Sequence, residues 1–273
     1  INPHPVVIFS TEFSTKMIYF DHSATTPGHP DVLDHMKSNQ KVVYGNPSSI
    51  HKLGRKAKSV VENARKQVAK SIGATPNQII FTSGGTEANN QVFWSRINQD
   101  RKHVISDTIE HPAVLKALSQ IAIFGIDHDL VTVNEKGCVS ITDLESAITE
   151  NTGLISIMLA NNEVGTMQPL KEITELAHEK NILVHTDAVQ CLGKMPIDVN
   201  NLGVDFLSLS AHKFYGPKGI GILYFKNKES LSALMIGGGQ ESGLRAGTEN
   251  IGSIAGMGLA AELATDELGN HIT

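Results

Sequence analysis

The chain has 273 residues, of which 40% are hydrophobic and 24 are glycine, and a formal net charge of −5, which together exclude a disordered polymer and give no electrostatic reason to bind nucleic acid. No stretch approaches the ~18 consecutive apolar residues of a membrane span, and the N-terminus lacks the basic flank and long apolar run of a signal peptide. The two cysteines, Cys138 and Cys191, are far apart and without metal-ligand spacing, so the reading is a cytoplasmic protein of one large or two modest domains, with no metal centre, disulfide framework or membrane contact.

Residues 1–16 mix Pro, Ser and Thr with one short apolar run and read as an extension outside the fold. Tyr44 to Ser49 is a turn cluster. Gly54 to Ile72 reads as an amphipathic helix, because Ala57, Val60, Val61, Ala64, Val68 and Ile72 recur at helical spacing and Gly73 supplies a stop. Ile79 to Thr82 is a strand, followed by the Ser83-Gly84-Gly85-Thr86 turn and a helix starting near Glu87. That order points backbone N–H groups and the positive end of a helix dipole at one spot, which suits a phosphate, although such turns also connect strands to helices with no ligand.

A further short strand from His103 ends in Glu110-His111-Pro112. An imidazole there can stack on a flat ring and move protons, but on its own residues it reads rather as a capping surface histidine, because Pro112 at a helix start explains the local sequence. Residues 131–151 read as structural, with Thr142-Asp143-Leu144-Glu145 as the capping box of a short helix. Leu154 to Leu159 is a continuous apolar run of the kind buried on both faces of a parallel sheet, and it ends in the polar Asn161, Asn162 and Glu163. A helix from Leu170 to Lys180 leads to a strand, Ile182 to Asp187, that ends in a carboxylate. A second strand, from Phe206, changes character at Ser210, where His212 and Lys213 arrive just before a Gly/Pro-rich turn. A lysine held there is desolvated, which favours its neutral, nucleophilic amine. Gly219 to Phe225 is a further strand, Gly237 to Asn250 a glycine-dense loop carrying Arg245 and Thr248, and Ile251 to Leu263 a helix rich in small residues. Strands alternating with helices predict an α/β fold, and polar groups after strand after strand predict a site at the carboxyl ends of the sheet.

A lysine that can hold an aldehyde covalently and an acid that keeps a pyridine nitrogen protonated are the parts a pyridoxal phosphate (PLP) enzyme needs. The segments Ile182–Gln190 and Phe206–Gly221 resemble those of the NifS/IscS-type cysteine desulfurases, within the class V, fold-type I PLP enzymes. So do Ile18–Pro27, Gly45-Asn46-Pro47-Ser48, the Ser83–Glu87 turn, Glu110-His111 and Gly237–Asn250, and the resemblance runs from Met17 to about Leu263. It implies a fold-type I large domain, a mostly parallel seven-stranded-type sheet flanked by helices, over residues 36–266. Residues 17–35 are then an N-terminal segment of a small domain, opening on a short strand before Asp21, and 267–273 the start of its C-terminal segment.

By the same resemblance Lys213 binds PLP, Asp187 pairs with the pyridine nitrogen and His111 stacks on the ring, while Asn162 and Gln190 lie near the ring hydroxyl. The Gly85-Thr86 turn, Ser210, His212 and, across a dimer interface, Thr248 hold the phosphate. The implied activity takes sulfur from L-cysteine, leaving alanine and an enzyme persulfide that serves an iron–sulfur scaffold or tRNA thiolation. The alternatives are a selenocysteine lyase or another class V lyase or aminotransferase, and a non-catalytic PLP-binding dimerisation module. Family chains carry a sulfur-accepting cysteine on a mobile loop and a substrate-clamping arginine in a C-terminal part that has no counterpart up to Thr273, so this sequence reads as the cofactor-binding part, with Cys138 and Cys191 incidental.

Overall fold

The computed structural model describes residues 18–271; the extension read at 1–16 lies outside them. Seven strands form one sheet in the order β1-β7-β6-β5-β4-β2-β3, where β1 is Ile79–Thr82, β2 His103–Asp107, β3 Asp127–Val131, β4 Thr152–Ser156, β5 Leu183–Asp187, β6 Phe206–Ser210 and β7 Gly221–Phe225. Only β7 runs against its neighbours, pairing antiparallel with β1 and β6, and the other pairings are parallel. The mostly parallel α/β sheet expected from the sequence is therefore present.

Alternate strand residues feed two hydrophobic cores, one on each face. Phe81, Ile105, Ile155, Leu207 and Ile222 pack with helices α2 (Lys52–Ser71), α6 (Leu170–Glu179) and α8 (Ile251–His271). Ile80, Val104, Leu154, Phe206 and Leu223 pack with α3 (Gly85–Trp94) and α4 (Pro112–Ile121). This is why the central strands read as unbroken apolar runs. Helix α1 (Pro30–Val42), which runs across residues 35 and 36, and α2 both pack on α8. The approach of α8 to α2 depends on a missing side chain: a Cβ on Gly258 would lie 2.6 Å from the Ala64 Cα.

Several local expectations need correction. Residues 18–20 form no strand; the chain there leads into a turn at His22–Ala24, and Ile18 and Phe20 are largely exposed. The short helix α5 spans Ile141–Ala147 and is capped by Ser140, whose hydroxyl accepts from the Asp143 N–H at 3.2 Å, so the box starting at Thr142 begins two residues late. The strand expected over 154–159 leaves the ladder at Ser156, though the N–H groups of Ile157 and Leu159 still donate to β5 carbonyls at 3.1 and 3.0 Å. Helix α3 begins at Gly85 rather than near Glu87, and α8 runs to His271, well past Leu263. No helix among the described residues is long and apolar enough to cross a membrane.

Candidate active site

Five parallel strands deliver polar groups to one edge of the sheet. Beyond β1 lies the glycine turn into α3, beyond β2 the Glu110-His111 pair, beyond β4 Met158 to Glu163, Asp187 closes β5, and Lys213 ends a single 3-10 turn after β6. They enclose a cavity of about 510 Å³ lined by Gly85, Thr86, His111, Asn162, Asp187, Gln190, Ser210, His212 and Lys213, so all but one of the residues singled out from the sequence face one space. The exception is Thr248, exposed on the glycine-rich loop beside a separate cavity of about 230 Å³ that it shares with Ser83 and Arg245. A single protomer does not bring Thr248 to the others.

Asp187 is 8% exposed. Its Oδ2 accepts from Asn89 Nδ2 at 2.7 Å and its Oδ1 from the Val189 N–H at 3.0 Å. Burial pushes its carboxyl pKa up, and those two donors together with the charges of His111 and Lys213 pull against the rise. Lys213 answers it across the cavity. Desolvation lowers its pKa, opposed by Asp187 and Asp21, and its Nζ donates to the Ser23 carbonyl. Gln190 Nε2 donates to that same carbonyl at 2.8 Å, while its Oε1 accepts from Lys194 at 2.7 Å.

His111 caps a helix and also lines the cavity. Its Nδ1 accepts from the Ala113 N–H at 3.0 Å as the N-cap of α4, and its ring lines the cavity. A cap accepted at Nδ1 leaves the proton of the neutral ring on Nε2. Asn162 Nδ2 donates to Glu163 Oε1 at 3.1 Å, and both residues line the cavity.

At the start of α3 the N–H groups of Gly85, Thr86 and Glu87 have no intrahelical acceptor, and the Thr86 and Ser210 side chains and His212 flank them. Gly84 sits at φ +153°, and a Cβ on Gly85 would come within 2.6 Å of Val189 Cγ2, so this turn closes only around glycine. Glu87 Oε2 accepts from the Ser83 N–H at 2.7 Å, and Arg245 donates to the Glu87 carboxylate at 2.9 and 3.2 Å, which ties the turn to the glycine-rich loop. His212 Nδ1 lies 3.1 Å from Thr25 Oγ1; burial lowers its pKa, and Lys213 and Lys218 lower it further.

Asn89, Asp21, Ser23, Met158 and Glu163 also line the cavity and were not singled out from the sequence. Asn89 was findable, being a polar residue one turn after Gly85 on the apolar stripe of Gly85, Ala88 and Val92. Ser23 contributes only a backbone carbonyl, which no residue type announces. Neither cysteine lines the cavity. Cys191 is 1% exposed and burial pushes its thiol up to about 12, so no thiolate forms there near neutral pH, and Cys138 is half-buried in the turn after Asn134.

The aminotransferase class-V family profile matches residues 18–272. The chain belongs to that family. Within it, the chain is 46% identical over 260 residues to the cysteine desulfurase IscS of Dictyoglomus turgidum, covering 94% of this chain and 66% of that protein. It is 44% identical over 267 residues to the mitochondrial cysteine desulfurase of Saccharomyces cerevisiae, covering 96% of this chain and 54% of that one. Among solved structures it superposes on a NifS-like protein with a TM-score of 0.90 at 42% identity, covering 93% of this chain and 71% of the other. It superposes on SspA in complex with cysteine with a TM-score of 0.86 at 41% identity, covering 90% and 72%. The chain thus spans no more than about two thirds of the length of these curated relatives.

Class V aminotransferases use PLP, and the residues present fit that group. The wall of the cavity offers a desolvated carboxylate for a cationic ring nitrogen, an amine of lowered pKa for an aldehyde, and a helix N-terminus for a phosphate, at a turn where Gly85 leaves no room for a Cβ against Val189.

Proposed function

We propose that this chain is the cofactor-binding part of a PLP-dependent cysteine desulfurase. The observation that supports it most is the convergence of the Lys213 amine, the Asp187 carboxylate and the α3 N-terminus on one cavity of about 510 Å³. Bound there, PLP supplies an electron-withdrawing ring that acidifies the Cα–H of an amino acid.

The protein's own groups do the rest. Lys213 would hold the cofactor covalently and would serve as the base toward a substrate Cα–H; the lowered pKa of its amine suits that task. Asp187 keeps the pyridine nitrogen protonated, with Asn89 and Val189 fixing the direction of its oxygens. His111 would hold the cofactor ring, Asn162 and Gln190 its hydroxyl, and Gly85, Thr86, Ser210 and His212 the phosphate, all of them residues that line the one cavity. Thr248 completes the phosphate site of a second subunit in a homodimer, which accounts for its position apart from the cavity of its own protomer.

L-cysteine is the proposed substrate, in keeping with the cysteine bound to SspA and the names of the curated relatives. The sulfur passes as an enzyme persulfide to iron–sulfur cluster assembly or tRNA thiolation. Cys191, buried and protonated, is not its carrier. Titration with PLP should give a visible absorption band, L-cysteine should shift it, and Asp187→Asn should retain the band while slowing exchange of the substrate α-proton by orders of magnitude. Undiminished exchange in Asp187→Asn contradicts the assignment.

A further inference from the structure

Two connections beside the cavity, residues 108–111 after β2 and 157–163 after β4, carry His111, Met158, Asn162 and Glu163 to its wall. Pairing between β2 and β4 ends at Ser106 and Ser156, so the sheet itself does not fix how these connections sit against each other. Two buried side chains do. Glu110, 4% exposed, accepts the Met158 N–H on Oε1. Asn161, 5% exposed, donates from Nδ2 to the Ile109 carbonyl at 2.9 Å, while its Oδ1 accepts from the N–H groups of Glu163 and Val164 at 2.8 and 3.0 Å. Each tie crosses from one connection to the other, and each is made by the immediate neighbour of a cavity residue: Glu110 precedes His111 and Asn161 precedes Asn162.

A carboxyl group is a costly choice for such a tie if it is charged. Burial raises the Glu110 pKa well above the ordinary carboxylate range, Asp107 and Asp187 raise it further, and the backbone N–H groups of Met158 and His111 only oppose the rise. Oε2 is buried without a hydrogen-bond partner, so a single acceptor atom, Oε1, makes the tie. An amide of the same shape would do the same work.

We propose that Glu110 and Asn161 are positioning residues that act through His111 and Asn162, setting the gap between the two connections and thereby the pose of the pyridine ring. The inference rests on the cofactor reading above. It assigns a role to two residues that face away from the cofactor.

The test is the visible circular dichroism of bound PLP, expressed per mole bound, with the PLP dissociation constant and the melting of the apoprotein measured alongside. Glu110→Gln keeps the acceptor and should leave ellipticity unchanged and affinity within about twofold, well inside the effect of losing one hydrogen bond. Glu110→Ala and Asn161→Ala should each lose or invert much of the ellipticity per bound cofactor and weaken PLP binding by about tenfold or more, as for a misplaced contact, while the stranded polar group lowers the melting temperature of the apoprotein. Wild-type ellipticity in both truncated variants, even with lowered melting temperatures, overturns the proposal, because the ties would then serve stability alone. A Glu110→Gln protein that folds yet loses or inverts the ellipticity per bound cofactor overturns it too, whether or not the truncated variants fold. A wild-type protein with no induced band on adding PLP would instead overturn the cofactor reading, and this inference with it.

Discussion

Replacing Asn89 by Ala perturbs the site from behind, at a residue that takes no part in the sequence motifs. Asn89 is fully buried and its Nδ2 is 2.7 Å from Asp187 Oδ2, leaving that oxygen no other hydrogen-bonded side-chain donor. While Asp187 is ionised, losing a charge-assisted hydrogen bond and stranding a buried oxygen should cost about 1.5–3 kcal/mol of folding stability. Once the carboxyl is protonated only an ordinary hydrogen bond is lost, worth about 0.5–1.5 kcal/mol. The sign follows from the raised folded-state pKa of Asp187: burial already disfavours the anion, so this group favours folding as pH falls through that value, and removing a donor to the anion adds its cost at higher pH. Urea denaturation of the apoprotein at pH 8 and pH 5 measures it. With a slope near 3 kcal/mol/M, the midpoint of Asn89→Ala should fall by roughly 0.5–1 M where Asp187 is ionised, and by no more at the more acidic pH. A loss that is absent at both pH values, or that grows toward acid, refutes the claim that Asn89 stabilises the Asp187 anion.

Other consequences are open to measurement. Gly85→Ala places a Cβ 2.6 Å from Val189 Cγ2, so the turn must shift and PLP affinity should fall by about tenfold or more for a misplaced phosphate cradle; equal affinity would show that the cradle is not used. Arg65 makes two hydrogen bonds to the buried Glu241, at 2.7 and 2.9 Å, and Arg65→Ala should cost about 3–5 kcal/mol by leaving that carboxylate uncompensated, seen as a melting temperature lowered by roughly 6–20 °C. The depressed pKa of Lys213 means that its amine turns neutral at a lower pH than an exposed lysine, so an amine-directed reagent at mildly alkaline pH should label Lys213 ahead of surface lysines in the apoprotein. Cys191→Ser should leave PLP binding unaltered, since the thiol is buried and protonated.

Much of this was legible because parallel strands announce themselves twice, as apolar runs and as abrupt polar endings. Asp187 and Lys213 stood out because each breaks a run at the point where a sheet in this class binds ligands. His111 could be placed from sequence but not resolved between cap and cavity, since Pro112 supports the first reading; the structure has one ring doing both. The segment around Asp21 and Ser23 illustrates the limit. Its part in the site is a carbonyl that accepts from Lys213 and Gln190 across a large sequence separation, and a backbone atom leaves no trace in residue type. Edge strand β3 was missed for a related reason: Asp127-His128-Asp129 lies mostly exposed, so it lacks the apolar signature of its neighbours. Glu110 read as part of a motif, while the use of its carboxyl became visible only with Met158 beside it.

The central claim is that Lys213 is the residue that takes the cofactor. Reduction of the PLP-loaded protein with borohydride, followed by digestion and mass spectrometry, tests it directly. One phosphopyridoxyl-bearing peptide is expected, the one containing Lys213, and it should disappear in Lys213→Ala. A label on Lys194, Lys218 or any other lysine in the wild-type protein, with Lys213 unmodified, would contradict it.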